Sequence, residues 1–317
     1  MKKITWKHTD LEVSPLAFGA MRFMGARDDP KDPERIRHAE EMVETCLECG
    51  INLFDHADIY GRGNCEAVFG EVLKRHPDWR EKIVLQSKCG IRIGDLHRYD
   101  QSADYIDASV DAILQRLGVD CLDVLLIHRP DPLLHPGTVA TTFDRLRRAG
   151  KVRYFGVSNF SVAQIQLLQS ACDTPLVANQ IQLSLIHPWS ISEGLFVNRT
   201  ERVFTGAEGV VDFCHREGIQ LQAWSPVAGG LLSKPSESDD ERTKSVRNAV
   251  AEVAAETGFS PEGVALAWIL RHPAGIVPVI GTMKADRVRQ CVPATEAAMD
   301  SDAWWRLLNA SLGRRLP

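Results

Sequence analysis

Short apolar runs and helix-patterned stretches alternate along this chain with little interruption. Ile36, Ala39, Val43, Cys46 and Leu47 recur at helical spacing, Asp32 and Pro33 mark that helix's start, and Gly50 stops it. The apolar run Ile51-Asn52-Leu53-Phe54 follows at once and ends in Asp55. The unit then repeats. A helix around Cys65–Lys74 precedes Ile83–Lys88. The stripe Ile106, Val110, Ile113, Leu114 and Leu117, closed by Gly118, precedes Leu122–His128. A helix ending at Ala149-Gly150 leads to Lys151–Ser158, and Ser161 with Gln164 forms a capping box ahead of Leu176–Gln180. A helix ending at Glu217-Gly218 precedes Ile219–Ser225, and one opened by Ser260-Pro261 precedes Ile276–Gly281. Leu16–Met21 is a further apolar run at the front. Ile4-Thr5-Trp6 and Leu11-Glu12-Val13 predict an N-terminal hairpin.

Counting Leu16–Met21, these runs predict eight strands alternating with helices, which implies parallel pairing with helices covering the outer face. Eight such units suit an α/β chain closed as a (β/α)8 TIM barrel. An open dinucleotide-binding sheet would want G-x-G-x-x-G at its first strand-helix turn, and none is present. Residues 1–317 are read as one barrel domain. Lys234–Lys244 is a charged loop after the seventh strand. Asp300–Leu312 is a tail helix, with Trp304, Leu307 and Leu308 packed on the barrel.

Composition adds limits. A chain of 317 residues can bury one large core, and 44% hydrophobic with 25% charged residues is the balance of a soluble globular protein. A net charge of -5 argues against nucleic acid or an anionic membrane as the main partner. No apolar run approaches spanning length and no signal-like segment follows Met1, which predicts a cytoplasmic chain. The eight cysteines show no extracellular rhythm. Cys46 and Cys49 form a C-x-x-C without a second pair nearby, so reduced thiols are expected and no metal site.

In a barrel of this kind the C-terminal strand ends gather at one mouth, where sites are built. Those ends carry Asp55, Lys88, His128, Ser158-Asn159, Gln180, Trp224-Ser225 and Gly281-Thr282, with Tyr60 just past the second strand. Each has a plainer reading alone: Asp55 and Lys88 as a buried ion pair, Tyr60 as packing, His128 as a core histidine. Together at one mouth, two opposite charges, a phenol and an imidazole make a proton-transfer site.

Phe54-Asp55-His56-Ala57-Asp58-Ile59-Tyr60-Gly61, Gln86-Ser87-Lys88-Cys89-Gly90, Leu126-Ile127-His128-Arg129-Pro130-Asp131, Tyr154–Phe160 and Ala223-Trp224-Ser225-Pro226 stand in register at strand ends. In these pieces the chain resembles the aldo-keto reductases, and within them the bacterial YdhF-type oxidoreductases. The resemblance covers essentially the whole chain. It implies reduction of an aldehyde or ketone by a nicotinamide cofactor, with Asp55, Tyr60, Lys88 and His128 as the catalytic set. Tyr60 would be the general acid. A free phenol, with a pKa near 10, is too weak for that at neutral pH, so Lys88 held against Asp55 is expected to lower it. His128 would orient the carbonyl oxygen. His56 and Asp58 are given no chemistry.

The resemblance also implies the cofactor contacts. Ser158, Asn159 and Gln180 would meet the nicotinamide carboxamide, and Trp224 would stack on its ring. Ser225, Pro226, Val227 and Gly229 would follow the pyrophosphate, and Gly19, Ala20, Met21 and Arg22 would flank nicotinamide and substrate. Gly281, Thr282, Met283, Lys284, Arg287 and Gln290 would hold the far end, with Thr282, Lys284 and Arg287 around a 2′-phosphate, hence NADP (as NADPH) over NAD. Two positions depart from the family pattern: Gly281 where many members carry lysine, and Gln290-Cys291 where many carry Glu-Asn. Phe23, Met24, Arg129, Trp189 and the stretch onward to Val203-Phe204 are expected to shape the pocket, with Tyr60 and His128, for a small carbonyl substrate. A monomer is expected. Two other functions stay open: a nicotinamide-nucleotide-binding regulatory subunit, and a barrel enzyme that uses Lys284 and Arg287 to hold a phosphorylated metabolite.

Overall fold

Inward- and outward-facing residues alternate along every barrel strand, and that alternation explains where the core and the site lie. The structure, a computed structural model, describes residues 1–25, 28–196, 209–236, 239–314 and 316. The chain opens with the antiparallel pair β1 (Ile4–Thr5) and β2 (Glu12–Val13), then β3 (Ala17–Gly19), α1 (Pro33–Glu48), β4 (Leu53–Asp55) and α2 (Asn64–Arg75). Next come β5 (Val84–Cys89), a small antiparallel hairpin of β6 (Ile91–Arg92) and β7 (Arg98–Tyr99), α3 (Ala103–Leu117), β8 (Leu122–Ile127) and α4 (Pro136–Arg148). β9 (Val152–Ser158), α5 (Val162–Gln169), β10 (Ala178–Gln182), the short α6 (Trp189–Ser192), α7 (Val210–Glu217) and β11 (Gln220–Trp224) follow. The chain continues through α8 (Glu241–Thr257), α9 (Pro261–Leu270), β12 (Val277–Ile280), α10 (Ala285–Cys291) and α11 (Ser301–Leu312). β3, β4, β5, β8, β9, β10, β11 and β12 pair in that order, all parallel, and β12 returns to β3 to close the barrel.

Two of the helix starts expected from the sequence carry satisfied caps. Asp32 accepts from the Glu34 amide ahead of α1, and Ser161 and Gln164 form the reciprocal capping box of α5. Inside the barrel, Leu53 of β4, Val84 of β5 and Val124 and Leu126 of β8 face each other. Trp6, Leu11 and Val13 of the N-terminal hairpin pack beneath them and close that end. The tail helix α11 packs as expected: Trp304 donates its indole N–H to the Trp268 carbonyl at 3.0 Å, and Leu307 and Leu308 are buried.

Two expectations change, and one element is new. The first strand is shorter than Leu16–Met21, since Ala20–Arg22 form a helical turn over the barrel mouth. Lys234–Lys244 is not loop throughout: Asp240 accepts from the Thr243 amide and caps α8, which begins at Glu241 and buries Val246, Val250 and Val253. The β6–β7 hairpin was not foreseen. Among the described residues no helix is long and apolar enough to cross a membrane.

Candidate functional site

The strand register brings the chemistry-bearing side chains to one end. Gly19 pairs with Asp55, Asp55 with Gln86, and Ser158 with Gln180. Along β5, Val84, Gln86 and Lys88 share the inward face, while Ser87 points outward, where its hydroxyl donates to Glu66 of α2 at 2.6 Å. Lys88 is fully buried, and its Nζ makes three bonds: to Asp55 Oδ2 at 2.7 Å, to the His56 carbonyl at 2.9 Å and to the Tyr60 hydroxyl at 3.2 Å. An ammonium has three donors, so none is left over.

The loop after β4 holds Tyr60 there. The His56 and Asp58 amides donate to the Gln86 and Lys88 carbonyls, extending the ladder beyond the strand. The chain then reverses through Gly61, Arg62 and Gly63, all at positive φ. Arg62 carries a side chain in that left-handed region, a local strain of the kind met beside functional sites. His128, just past β8, presents its ring edge-on to Tyr60 with centroids 6.0 Å apart.

Burial dominates the proton affinities. It works against the Lys88 ammonium, but Asp55 and Tyr60 outweigh it and hold Lys88 protonated, above the ordinary lysine value. Burial also pushes the Tyr60 phenol above its ordinary range; Lys88 pulls the other way without prevailing. The expected lowering of Tyr60 is thus reversed in direction, because desolvation of the phenolate exceeds the stabilisation from one lysine that Asp55 already neutralises. Burial, then Lys88 and Arg129, hold His128 neutral, down to about 2.

A cavity of about 440 Å³ opens above these groups. Asp55, Tyr60, His128 and Arg129 line it, as do Gly19, Met21 and Arg22 from the first turn. Ser158, Asn159, Gln180 and Trp224 form one wall, linked to each other: the Ser158 hydroxyl donates to the Gln180 carbonyl at 2.9 Å, Asn159 Nδ2 to Ser158 Oγ at 2.8 Å, and the Trp224 indole N–H to Asn159 Oδ1 at 2.9 Å. Ser225, Pro226, Val227 and Gly229 continue that wall, and Gly281, Thr282 and Arg287 stand at the far end.

Other expected residues lie elsewhere. Ala20, Phe23 and Met24 are buried; the Phe23 ring lies 5.6 Å from Phe18 and 6.2 Å from Phe69. Trp189 sits off the cavity beneath the Arg242 guanidinium, 5.3 Å from it. Met283, Lys284 and Gln290 do not line the cavity, and Lys284 and Gln290 are exposed. Val203 and Phe204 fall outside the described residues. Ile59, Ile91, Lys234 and Glu262 line the cavity unforeseen. Ile59 stands inside the motif already singled out, whereas the other three come from connections and a helix start that carry no chemical signature.

The Aldo/keto reductase family model matches residues 15–310. The chain belongs to the aldo/keto reductase family. The 6-dehydroglucose reductase of Novosphingobium aromaticivorans is 37% identical over 316 residues, covering 98% of this chain and 95% of that one. Oxidoreductase YdhF of Escherichia coli is 38% identical over 287 residues, covering 89% and 90%. The holo form of aldo-keto reductase AKR11C1 from Bacillus halodurans has the same fold, with a TM-score of 0.78 at 24% identity over 98% of this chain and 96% of that one. As an aldo/keto reductase the protein is an NAD(P)H-dependent oxidoreductase acting on a small-molecule carbonyl compound.

The reductase's β11 end has a backbone suited to a phosphate-bearing ligand. Ser225, Ala228, Gly229 and Gly230 all have positive φ, which folds the chain into a tight turn at the cavity wall. A Cβ built on Gly229 or Gly230 would meet nothing within 4 Å, so the turn presents open backbone to the cavity beside Lys234.

Proposed function

We propose that the protein reduces an aldehyde or ketone to the alcohol with NADPH, and that Tyr60 is the general acid. The observation that carries this is the hydrogen-bonded chain from Asp55 through Lys88 to the Tyr60 hydroxyl, which ends at the same cavity as His128. The wall of Ser158, Asn159, Gln180 and Trp224, the open turn at Gly229 and the cationic Arg22, Lys234 and Arg287 fit a nicotinamide dinucleotide. Ser158, Asn159 and Gln180 would hold the carboxamide, and Trp224 would lie against the ring. Ser225, Pro226, Val227 and Gly229 would follow the pyrophosphate. Thr282 and Arg287 would face the 2′-phosphate that distinguishes NADP from NAD.

Bound NADPH supplies the hydride that reduces the carbonyl carbon. The rest is the chain's own work. Tyr60, like any phenol, is protonated at neutral pH; burial makes it a weaker acid still, so giving its proton to the carbonyl oxygen depends on help for the oxygen left behind. Lys88, donating to the Tyr60 oxygen, stabilises the negative charge that oxygen gains as the proton leaves. His128 is neutral, and its Nδ1 is buried without a partner among the described residues, so Nε2 would be the atom that orients the carbonyl oxygen. Arg129, 6.0 Å from the Trp224 ring centroid, and Ile91 would bound the substrate.

The test is steady-state NADPH oxidation with para-nitrobenzaldehyde and with 6-dehydroglucose, the compound named in a relative's name, with NADH in parallel. Tyr60→Phe is expected to lose at least about a hundredfold in kcat/KM, and NADPH to outperform NADH. Near-wild-type activity in Tyr60→Phe, or no turnover by the wild type on a broad carbonyl panel, would sink this reading.

A further inference from the structure

The two carboxylate oxygens of Asp55 have different neighbours. Oδ2 takes the Lys88 ammonium at 2.7 Å, while Oδ1 takes the Gln86 amide at 2.5 Å and the Gln180 amide at 3.1 Å. Each of those amide nitrogens has a second N–H, and both second bonds reach Gln222 Oε1, at 2.9 and 2.8 Å. Gln222 closes the layer by donating its own Nε2 to Gln86 Oε1 at 2.8 Å. The register accounts for this: Asp55 lies opposite Gln86 and Gln180 opposite Gln222, so two ladder pairs meet across the barrel interior. Gln86 and Gln222 have no solvent exposure and do not line the cavity.

A carboxylate can only accept, and that one fact orients every amide in the layer. Gln86 and Gln180 must turn their nitrogens toward Asp55. Their remaining N–H groups must find an acceptor, which fixes Gln222 with its oxygen toward both. Gln222's nitrogen then has Gln86 Oε1 in reach. Gln180, with both N–H groups engaged, keeps only Oε1 to offer the cavity, as an acceptor.

We infer that Gln86 and Gln222 are positioning residues for the proton transfer: with Gln180 they hold Asp55 turned so that part of its charge is drawn into the amide layer, and so set how strongly Lys88 assists loss of the Tyr60 proton. Asp55 opposes Lys88 in its effect on Tyr60. Amide donors on Oδ1 stabilise the carboxylate's charge on the side away from Lys88. Without them that charge falls more fully on Lys88, and Tyr60 becomes a weaker acid. The other titratable groups facing Tyr60 are Cys65 from α2 and His128 beyond β8, while His56, Asp58 and Glu66 interact with Lys88. None of these is altered in the test.

The inference rests on the proposed role of Tyr60, and the test separates the two. Alcohol oxidation needs ionised Tyr60, so kcat/KM for para-nitrobenzyl alcohol with NADP⁺ rises with pH and its rising limb reports on that group. In Gln86→Met the limb is expected to move to higher pH by about one unit, and in Gln222→Met by less in the same direction. Gln222→Met touches neither Asp55 nor the cavity, so it reads the layer even if Gln86→Met folds poorly. A limb that stays at the wild-type pH in the variants that fold, whatever the loss in kcat, or one that moves to lower pH, would overturn the inference. Activity retained in Tyr60→Phe would instead remove the functional reading beneath it.

Discussion

The two halves of the barrel interior are built from the same strands and obey different rules. Near the N-terminal hairpin, Leu53, Val84, Val124 and Leu126 meet Trp6 and Val13 in a cluster of apolar side chains. One residue pair further along, the inward positions hold Asp55, Gln86, Lys88, Gln180 and Gln222, as deeply buried as the apolar set and joined by hydrogen bonds. In the apolar half the stabilisation comes from area removed from water and from filled volume, so one hydrophobic residue can stand in for another of like size. In the polar half every group must have its partner, and removing one strands the next. One end of the barrel tolerates exchange among hydrophobic residues of like volume; the other tolerates no such exchange.

The largest break in that comparison is Lys88→Met. It leaves Asp55 buried without its counter-ion, at a cost of about 3–5 kcal/mol, read as the loss of unfolding free energy in urea. Leu126→Ala in the apolar half should cost about 2–5 kcal/mol while the fraction that folds keeps its turnover. If Lys88→Met lost stability no more than a surface substitution does, the polar half would not be interlocked.

A pH comparison sharpens the contrast. Since burial raises Tyr60, reduction should hold across neutral pH and fall only in the alkaline range as the phenol ionises, while alcohol oxidation climbs over the same range. Paired profiles in the two directions check the sign; a reduction limb near neutrality would contradict it.

The smallest expected effect concerns His56, which is fully buried against Phe69 with both ring nitrogens unpartnered among the described residues. Burial, then Lys88, hold it down to about 3, so between the ordinary histidine value of 6.5 and that point only the unfolded chain takes the proton. Unfolded-state protonation weakens the fold as pH falls through this window, by up to about 1.4 kcal/mol per pH unit for each such histidine. His128 adds to the same acid loss. His56→Leu should therefore flatten part of the drop in urea midpoint between pH 7 and pH 5, and an unchanged slope would show that His56 does not contribute.

What could be read from the sequence follows the same division. The eight strands were visible because apolar runs such as Leu122–Ile127 follow a glycine that closes the preceding helix and alternate with helix-patterned stretches. Asp55, Lys88, Tyr60 and His128 could be placed at one mouth because the strand ends converge there. Gln86 and Gln222 could not be singled out: the contact that joins them crosses the barrel, and which strands face each other depends on the stagger of the closed sheet. Phe23 and Met24 were expected at the pocket, but both are buried, Phe23 against the Phe18 and Phe69 rings. Lys234–Lys244 read as loop because charge masked the buried stripe of α8, although Asp240 was its cap.

The divided loyalty of Asp55 has a practical consequence for anyone moving this chemistry elsewhere. Grafting Asp55, Tyr60, Lys88 and His128 onto another parallel barrel would carry over the groups nearest the reaction while leaving Asp55 Oδ1 facing whatever the recipient holds across its interior. An apolar residue there would leave that oxygen undersolvated, free to swing toward Lys88. The transplantable unit is therefore wider than the reactive set and includes the strands that supply the amides, so a recipient is better chosen by the residues opposite the new aspartate than by the shape of its mouth.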